Sequence, residues 1–110
     1  MKREFVRTST FERSWAAAGL SDEDLRELEK MLLTNPEAGT VISGLNGCRK
    51  LRFQLPGRGK SGGARVIYVD VVVKEKIFLL LAYPKNVQEN LTPEQKKHLH
   101  SLVEIIKEEA

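Results

Sequence analysis

Apolar residues recur every three or four positions in the first third of this 110-residue chain. Phe11 and Trp15 form one such set, and Leu25, Leu28 and Leu32 form a second. Side chains at this spacing lie along one side of a helix. The pattern therefore predicts two short amphipathic helices that follow each other directly.

Capping residues indicate where these two helices begin and end. Ser9 and Glu12 have the spacing of a capping box, so we expect Ser9 to cap the first helix and Gly19 to end it. Ser21 precedes three acidic residues, which suit the positive end of a helix dipole, and is the expected cap of the second helix. Pro36 ends that helix, because a proline disfavours helical geometry in the residue before it.

The period of the apolar residues changes to two in the second half of the chain. Leu51 and Phe53 alternate with charged and amide residues, as in a half-buried strand. Two longer segments, 64–73 and 76–82, are rich in β-branched residues and leucine and are joined by a tight turn. These three segments predict an antiparallel meander, and Glu4–Arg7 predicts a short strand at the beginning of the chain.

A last helix is predicted from Thr92 as its cap, with Pro93 in its first turn and Gln95 completing a capping box. Its apolar face consists of Leu99, Leu102, Val103 and Ile106. The expected order is β-α-α-β-β-β-α in one α+β domain spanning residues 1–110. We expect a small antiparallel sheet with the helices on one face and the cationic residues on the other face or its rim.

Positive charge is concentrated in one part of the sequence. The net charge is only +3, but no acidic residue occurs between Ala38 and Val69. A cationic region without counter-charges repels itself, and its usual partner is a polyanion such as the phosphate backbone of a nucleic acid. The basic residues of this region, which surround a glycine-rich turn, are Arg49, Lys50, Arg52, Arg58, Lys60 and Arg65.

Several other kinds of site are disfavoured by the sequence. The single cysteine, Cys48, forms no internal disulfide and no zinc-finger spacing. His98 and His100 point to different sides of a helix and cannot bind one ion together. The glycines of segment 57–62 match a dinucleotide fingerprint, but a strand follows them where that fingerprint requires a helix. With no long apolar run and no signal peptide, we expect a cytoplasmic protein without membrane association.

Three segments of the chain form a recognisable combination. They are RKLR at 49–52, GGARVIY at 62–68 and AYPKN at 82–86, with LTPEQ following at 91–95. Together with the paired helices they resemble the RelE/HigB superfamily of type II toxin–antitoxin modules, and most of all its HigB-like branch. The similarity covers nearly the whole chain.

This resemblance implies a bacterial toxin that cleaves messenger RNA on the translating ribosome without a metal or other cofactor. In that family a 2′-hydroxyl attacks the adjacent phosphate, which leaves a 2′,3′-cyclic phosphate and a 5′-hydroxyl end. The resemblance also implies a cognate antitoxin, which in the HigB branch is a HigA-like helix-turn-helix protein. The expected partners are therefore this antitoxin, the ribosome and messenger RNA.

Arg65 matches the family's arginine after the loop, and Lys85 matches the basic residue at the end of the last strand. We expect Arg65 to hold the phosphate, since a guanidinium binds two oxygens at once. Lys60 or Lys85 is the expected base, because crowded cations lower each other's pKa, and Tyr83 is expected to position the substrate or assist proton transfer. The residues expected to bind the RNA backbone are Arg49, Lys50, Arg52, Arg58 and Asn86.

Two alternatives remain open at this point. Toxins of the same fold that resemble ParE inhibit DNA gyrase and lack the cationic catalytic set. A plain RNA-binding domain would use its positive charge for affinity alone. The presence of Arg65, Lys85 and the basic loop favours cleavage over both.

Overall fold

The computed structural model describes residues 2–54 and 63–109 of the chain. The predicted helices and strands are all present, and the structure adds one short strand, β2 (Thr40–Val41). In chain order the α-helices and strands of the described residues are β1 (Glu4–Arg7), α1 (Ser9–Ala17), α2 (Asp22–Thr34), β2 (Thr40–Val41), β3 (Arg49–Phe53), β4 (Ala64–Val71), β5 (Lys76–Pro84) and α3 (Pro93–Glu108). In these described ranges, no helix has the length and apolarity that crossing a lipid bilayer would require.

Two of the three predicted helix caps are confirmed. Ser21 accepts a hydrogen bond from the Asp24 amide at the beginning of α2, and Thr92 forms the expected capping box with Gln95 in α3. The predicted cap of α1 is wrong by one residue. The Thr8 hydroxyl caps this helix and also donates to the Leu79 carbonyl oxygen of β5 at 3.0 Å, so the cap ties the helix to the sheet.

The five strands form a mixed sheet in the order β1-β5-β4-β3-β2. Strands β3, β4 and β5 are the predicted antiparallel meander, but β1 pairs with β5 in parallel, so the expected all-antiparallel sheet is wrong at this edge. A parallel pair needs a long crossover, and the two helices lie within the chain that separates β1 from β5. Strand β2 has only two residues, too few to show an alternating pattern.

The helices cover both faces of the sheet, so the expectation of helices on one face is wrong. Helices α1 and α2 pack on the first face, where Phe11 and Leu28 contact the side of β4 that carries Val66 and Tyr68. Helix α3 packs on the opposite face through Leu99, Val103 and Ile106. The nearly unbroken apolar run of β4 is explained by this arrangement, because a strand buried on both faces has no polar side to alternate with.

A β-bulge in β5 changes which side chains face α3. Ile67 lies opposite Leu81 and Tyr68 lies opposite Leu79, so Leu80 is an extra residue in β5. Before the bulge, Leu79 faces α1 and α2, whereas Leu80 and Leu81 both face the α3 side. The extra residue reverses the alternation of the strand and so brings the following Tyr83 to the α3 face.

Tyr68 holds the segment between α2 and β2 against the first face of the sheet. Its buried hydroxyl donates to the Pro36 carbonyl oxygen at 2.8 Å and accepts from the Gly39 amide at 2.9 Å. Burial raises the pKa of this phenol, so it remains protonated at neutral pH. One side-chain hydroxyl is therefore the hydrogen-bond partner of two backbone groups.

The variant Tyr68→Phe is expected to lower the free energy of unfolding by about 1–3 kcal/mol, because it leaves a buried amide and a carbonyl without their partner. The matched control is Tyr83→Phe, whose hydroxyl makes one long hydrogen bond of 3.5 Å. We expect the control to cost less than Tyr68→Phe. Urea unfolding of both variants checks this, and equal losses would contradict it.

Candidate functional site

Arg65 is the one charged residue that is buried within the described part of the chain, with 4% of its surface exposed. It is the second residue of β4, and its side chain points to the α3 face because it alternates with Val66 of the opposite face. Helix α3 packs over Ile67 and Val69 further along the strand. Arg65 therefore lies on the α3 face beyond the part of β4 that contributes to that core.

The hydrogen bonds of Arg65 are incomplete. Its Nη2 atom donates to Glu89 Oε1 at 3.2 Å, while its buried Nε atom has no hydrogen-bond partner among residues 2–54 and 63–109. A buried donor without an acceptor costs about 1–3 kcal/mol. An acceptor supplied by a bound molecule would remove this cost, which makes the guanidinium a candidate anion-binding group.

Two further cations lie on the same face of the neighbouring strand β3. Arg52 is directly opposite Arg65, and Lys50 is opposite Ile67, two residues along the strand. Like charges at directly opposed positions of an antiparallel pair destabilise the sheet. The arrangement therefore needs an anion, either from the protein or from a ligand.

Glu89 supplies that anion in the structure. Its pKa is lowered mainly by the hydrogen bond and charge of Arg65, and further by the charges of Lys50 and Arg52. The expectation that these cations lack a counter-charge is therefore wrong for Arg65. The carboxylate comes from the segment between β5 and α3, 24 residues away from Arg65 and outside the acid-free region.

Tyr83 is the cross-strand neighbour of Arg65 on β5. It is 4% exposed, and its hydroxyl donates to the Glu89 carbonyl oxygen at 3.5 Å. Burial raises the pKa of this phenol, and the nearby guanidinium opposes that effect only in part. Tyr83 is therefore protonated at neutral pH and can donate a hydrogen bond to a molecule held by Arg65.

The structure brings some of the other predicted site residues towards Arg65 and Tyr83, but not all of them. Lys85 and Asn86 are exposed in the turn after β5, and the Lys85 amide donates to the Gly63 carbonyl oxygen at 3.2 Å, which keeps the turn beside the start of β4.

Arg49 is not brought to the site. It lies opposite Tyr68 and binds the Gly39 carbonyl oxygen at 2.8 Å, on the face of α1 and α2. Arg58 and Lys60 lie outside the described residues.

A groove adjoins the site and involves residues that the sequence reasoning missed. Its volume is about 210 Å³. Lys50 extends towards it and lies 3.4 Å from the Asn90 side-chain oxygen. Neither Asn90 nor the nearby Glu89 belongs to a recognisable sequence motif. Their proximity to the site becomes apparent only in the structure, where the segment before α3 lies beside β3. The residues that line the groove are Ile42, Lys50, Asn90, Leu91 and Lys96.

A larger cavity, of about 550 Å³, lies elsewhere and carries paired charges. Arg3 binds both carboxylate oxygens of Asp70 on one of its walls, and Arg49 pairs with Glu37 on another. These pairs leave no uncompensated charge for a ligand. Within residues 2–54 and 63–109, no three histidine, cysteine, aspartate or glutamate side chains are grouped so that they could hold a metal ion.

Comparison with known proteins gives a consistent result. The family model described as RelE toxin of the RelE/RelB toxin–antitoxin system matches residues 3–109. A free-state structure of an E. coli RelE toxin mutant superposes with a TM-score of 0.56 at 20% identity and covers 81% of this chain and 90% of its own. The intact E. coli RelBE toxin–antitoxin complex gives a TM-score of 0.54 at 19% identity and covers 76% of this chain and 96% of the matched one.

Removal of the Arg65 charge is expected to raise the pKa of Glu89 towards the ordinary glutamate value, because Arg65 is the main cause of its depression. A carbon-detected NMR titration of the Glu89 carboxyl in Arg65→Met checks this. The control is Arg26→Met, which changes an exposed cation on α2.

The sign of the linked stability effect follows from the direction of the shift. Because the folded-state pKa of Glu89 is lowered, the ion pair stabilises the fold above the unfolded-state pKa and loses this effect as the pH falls through the folded-state value. An unchanged Glu89 pKa in Arg65→Met would contradict the pairing.

Proposed function

Because the chain belongs to the RelE toxin family of toxin–antitoxin systems, we propose that it is an endoribonuclease that cleaves messenger RNA on the translating ribosome and thereby inhibits translation. The observation that supports this proposal is the buried Arg65, whose unpaired Nε lies at a cluster of cations on the α3 face. Because the proposed substrate is messenger RNA on the ribosome, we propose that the protein acts in the cytoplasm.

Arg65 is suited to hold the phosphate that is cleaved. Its side chain is 5% exposed, so its position is fixed by packing before the substrate arrives. Electrostatic stabilisation is strongest when the charged group is preorganised and shielded from water. The guanidinium also offers two N–H groups in a planar fork, which matches two oxygens of one phosphate.

The proposed reaction needs no group other than side chains and the RNA itself. The substrate 2′-oxygen forms a bond to phosphorus and loses its proton to a base, for which we propose Lys85 or Lys60. The bond from phosphorus to the 5′-oxygen breaks, and that oxygen takes up a proton. The products are a 2′,3′-cyclic phosphate and a 5′-hydroxyl, while Arg65 stabilises the extra charge on the phosphate oxygens.

Tyr83 is proposed to position the phosphate or to assist the proton transfer. Its raised pKa keeps the phenol protonated, so it acts as a hydrogen-bond donor rather than as a base. Its position directly opposite Arg65 allows both side chains to contact one phosphate group. The long hydrogen bond to the Glu89 carbonyl oxygen leaves the hydroxyl available for a better acceptor.

The RNA backbone is proposed to follow the α3 face of the sheet. Lys50 and Arg52 of β3 share this face with Arg65, and Asn86 follows β5 at the same end. Arg58 is assigned to the same role from the sequence. Arg49 is left out of the proposal, because it is bound to Gly39 and Glu37 on the other face.

A cognate antitoxin is proposed as the physiological inhibitor. The chain is the toxin of a toxin–antitoxin system by family, and the E. coli RelBE structure that it resembles is a toxin–antitoxin complex. Membership of the HigB-like branch, and with it a HigA-like helix-turn-helix antitoxin, rests on the sequence resemblance described above. Co-purification with the product of a neighbouring gene tests this partner.

The variant Arg65→Ala is expected to cleave messenger RNA on the ribosome at least about 100-fold more slowly than the wild type, since it removes a preorganised charge from the transition state. The matched control, Arg26→Ala, removes one exposed cation from α2 and should cleave at the wild-type rate. Single-turnover cleavage of a programmed ribosome complex measures both. An unchanged rate in Arg65→Ala would exclude this residue from the mechanism.

Mapping of transcript ends after expression separates the proposed function from the alternatives. We expect new 5′-hydroxyl ends inside coding regions, because the reaction leaves the phosphate on the upstream fragment. Intact messages together with DNA damage would favour a gyrase inhibitor. Intact messages and tight RNA binding would favour a binding domain without catalysis.

A further inference from the structure

The ion pair between Arg65 and Glu89 joins a buried side chain to an exposed one. The Arg65 side chain is 5% exposed and that of Glu89 is 58% exposed, at a distance of 3.2 Å between Nη2 and Oε1. The carboxylate therefore binds the buried guanidinium from the solvent side. A phosphate arriving from solvent would meet this carboxylate at the donor that it needs.

We propose that the Glu89 carboxylate occupies the phosphate position on Arg65 and that single-stranded RNA binds the site by displacing it. This inference rests on the proposed function, because it takes a phosphodiester of RNA as the ligand of Arg65. Glu89 is then a residue that determines which substrates enter the site. It acts on binding and takes no part in the bond changes.

The local structure allows the Glu89 side chain to move while its backbone remains in place. The neighbouring Gln88 side-chain Nε2 atom donates to the Asn90 carbonyl oxygen at 3.0 Å and to the Gln95 side-chain oxygen at 2.8 Å. Tyr83 contacts the Glu89 carbonyl oxygen. These contacts attach the segment to the start of α3, whereas within the described residues the Glu89 side chain makes its hydrogen bond to Arg65 alone. Rotation about its side-chain bonds is enough to uncover the guanidinium.

The exchange preserves the charge beside the cations. A carboxylate and a phosphodiester each carry one negative charge, so Arg65, Arg52 and Lys50 keep a counter-charge in both states. The phosphate offers two oxygens, one of which would accept a hydrogen bond from the Nε atom as well. The displaced carboxylate remains near the bound phosphate and repels it, so RNA must gain further contacts along the sheet to replace it.

This balance predicts weak binding of free RNA and stronger binding of RNA that is already oriented. A strand held in place by another surface loses little freedom when its phosphate reaches Arg65. The binding free energy of a free strand must compensate both for that loss of conformational freedom and for the cost of breaking the ion pair. Glu89 thus favours a presented substrate over RNA in solution.

The test compares Glu89→Gln with Glu108→Gln, which remove the same charge from two exposed glutamates. Glu108 is the last residue of α3, about 22 Å along the helix from its first residue, Pro93, by the rise of 1.5 Å per residue. The probe is a short single-stranded 2′-O-methyl RNA, which binds but cannot be cleaved. Its affinity is measured by fluorescence anisotropy at fixed salt concentration, with thermal unfolding of each variant as a check of folding.

We expect Glu89→Gln to bind the probe about fivefold more tightly than the wild type, a change typical of the loss of one competing ion pair. Glu108→Gln should change the affinity much less. In an Arg65→Met background the gain from Glu89→Gln should disappear, because no guanidinium is left to uncover.

Two results would overturn the inference. They are unchanged or weaker binding by Glu89→Gln and an equal gain in the Arg65→Met background. Unchanged affinity together with slower cleavage by Glu89→Gln would assign Glu89 to the chemistry instead. The proposed function is tested separately by the wild type. Tighter binding by Glu89→Gln without any cleavage of ribosome-bound messages by the wild type would refute the nuclease and retain the anion site.

Discussion

The burial of one guanidinium group, that of Arg65, constrains the candidate site of this protein. Arg65 is held in the α3 face of the sheet with Arg52 opposite it on one side and Tyr83 on the other. A buried charge requires a partner, because its desolvation is costly unless an opposite charge or hydrogen bonds compensate it. Glu89 provides one hydrogen bond, and no other group in the described part of the chain pairs with the Nε atom. This incomplete compensation is the basis of our proposal that the site binds a phosphate.

The irregular features of the fold support this position. The extra residue in β5 reverses the alternation of the strand, so that Tyr83 joins Arg65 on one face instead of entering the core of α1 and α2. Helix α3 packs on the same face through Leu99, Val103 and Ile106. The segment before α3 then brings Glu89 to Arg65 of β4 and Asn90 to Lys50 of β3. The bulge and the segment before α3 thereby bring the polar groups of Tyr83 and Glu89 to Arg65.

Local signals made much of the fold predictable. The capping box of Ser21 and the cap of α3 depend on residues within one turn, and the alternation in β3 depends on neighbours in the strand. Contacts between distant segments were not predictable in this way. The parallel pairing of β1 with β5 and the position of α3 on the second face depend on packing across the whole chain. The cluster of basic residues was visible in the sequence. Its counter-charge, Glu89, lies 24 residues from Arg65 and has no local sequence signature.

A crystal structure of the protein with a non-cleavable RNA dinucleotide would show directly whether a phosphate replaces Glu89 at Arg65. We expect a phosphate oxygen within hydrogen-bond distance of the Arg65 Nη2 atom, a second acceptor at Nε, and the Glu89 side chain turned away into solvent. A dinucleotide bound elsewhere, with the ion pair between Arg65 and Glu89 intact, would contradict this expectation.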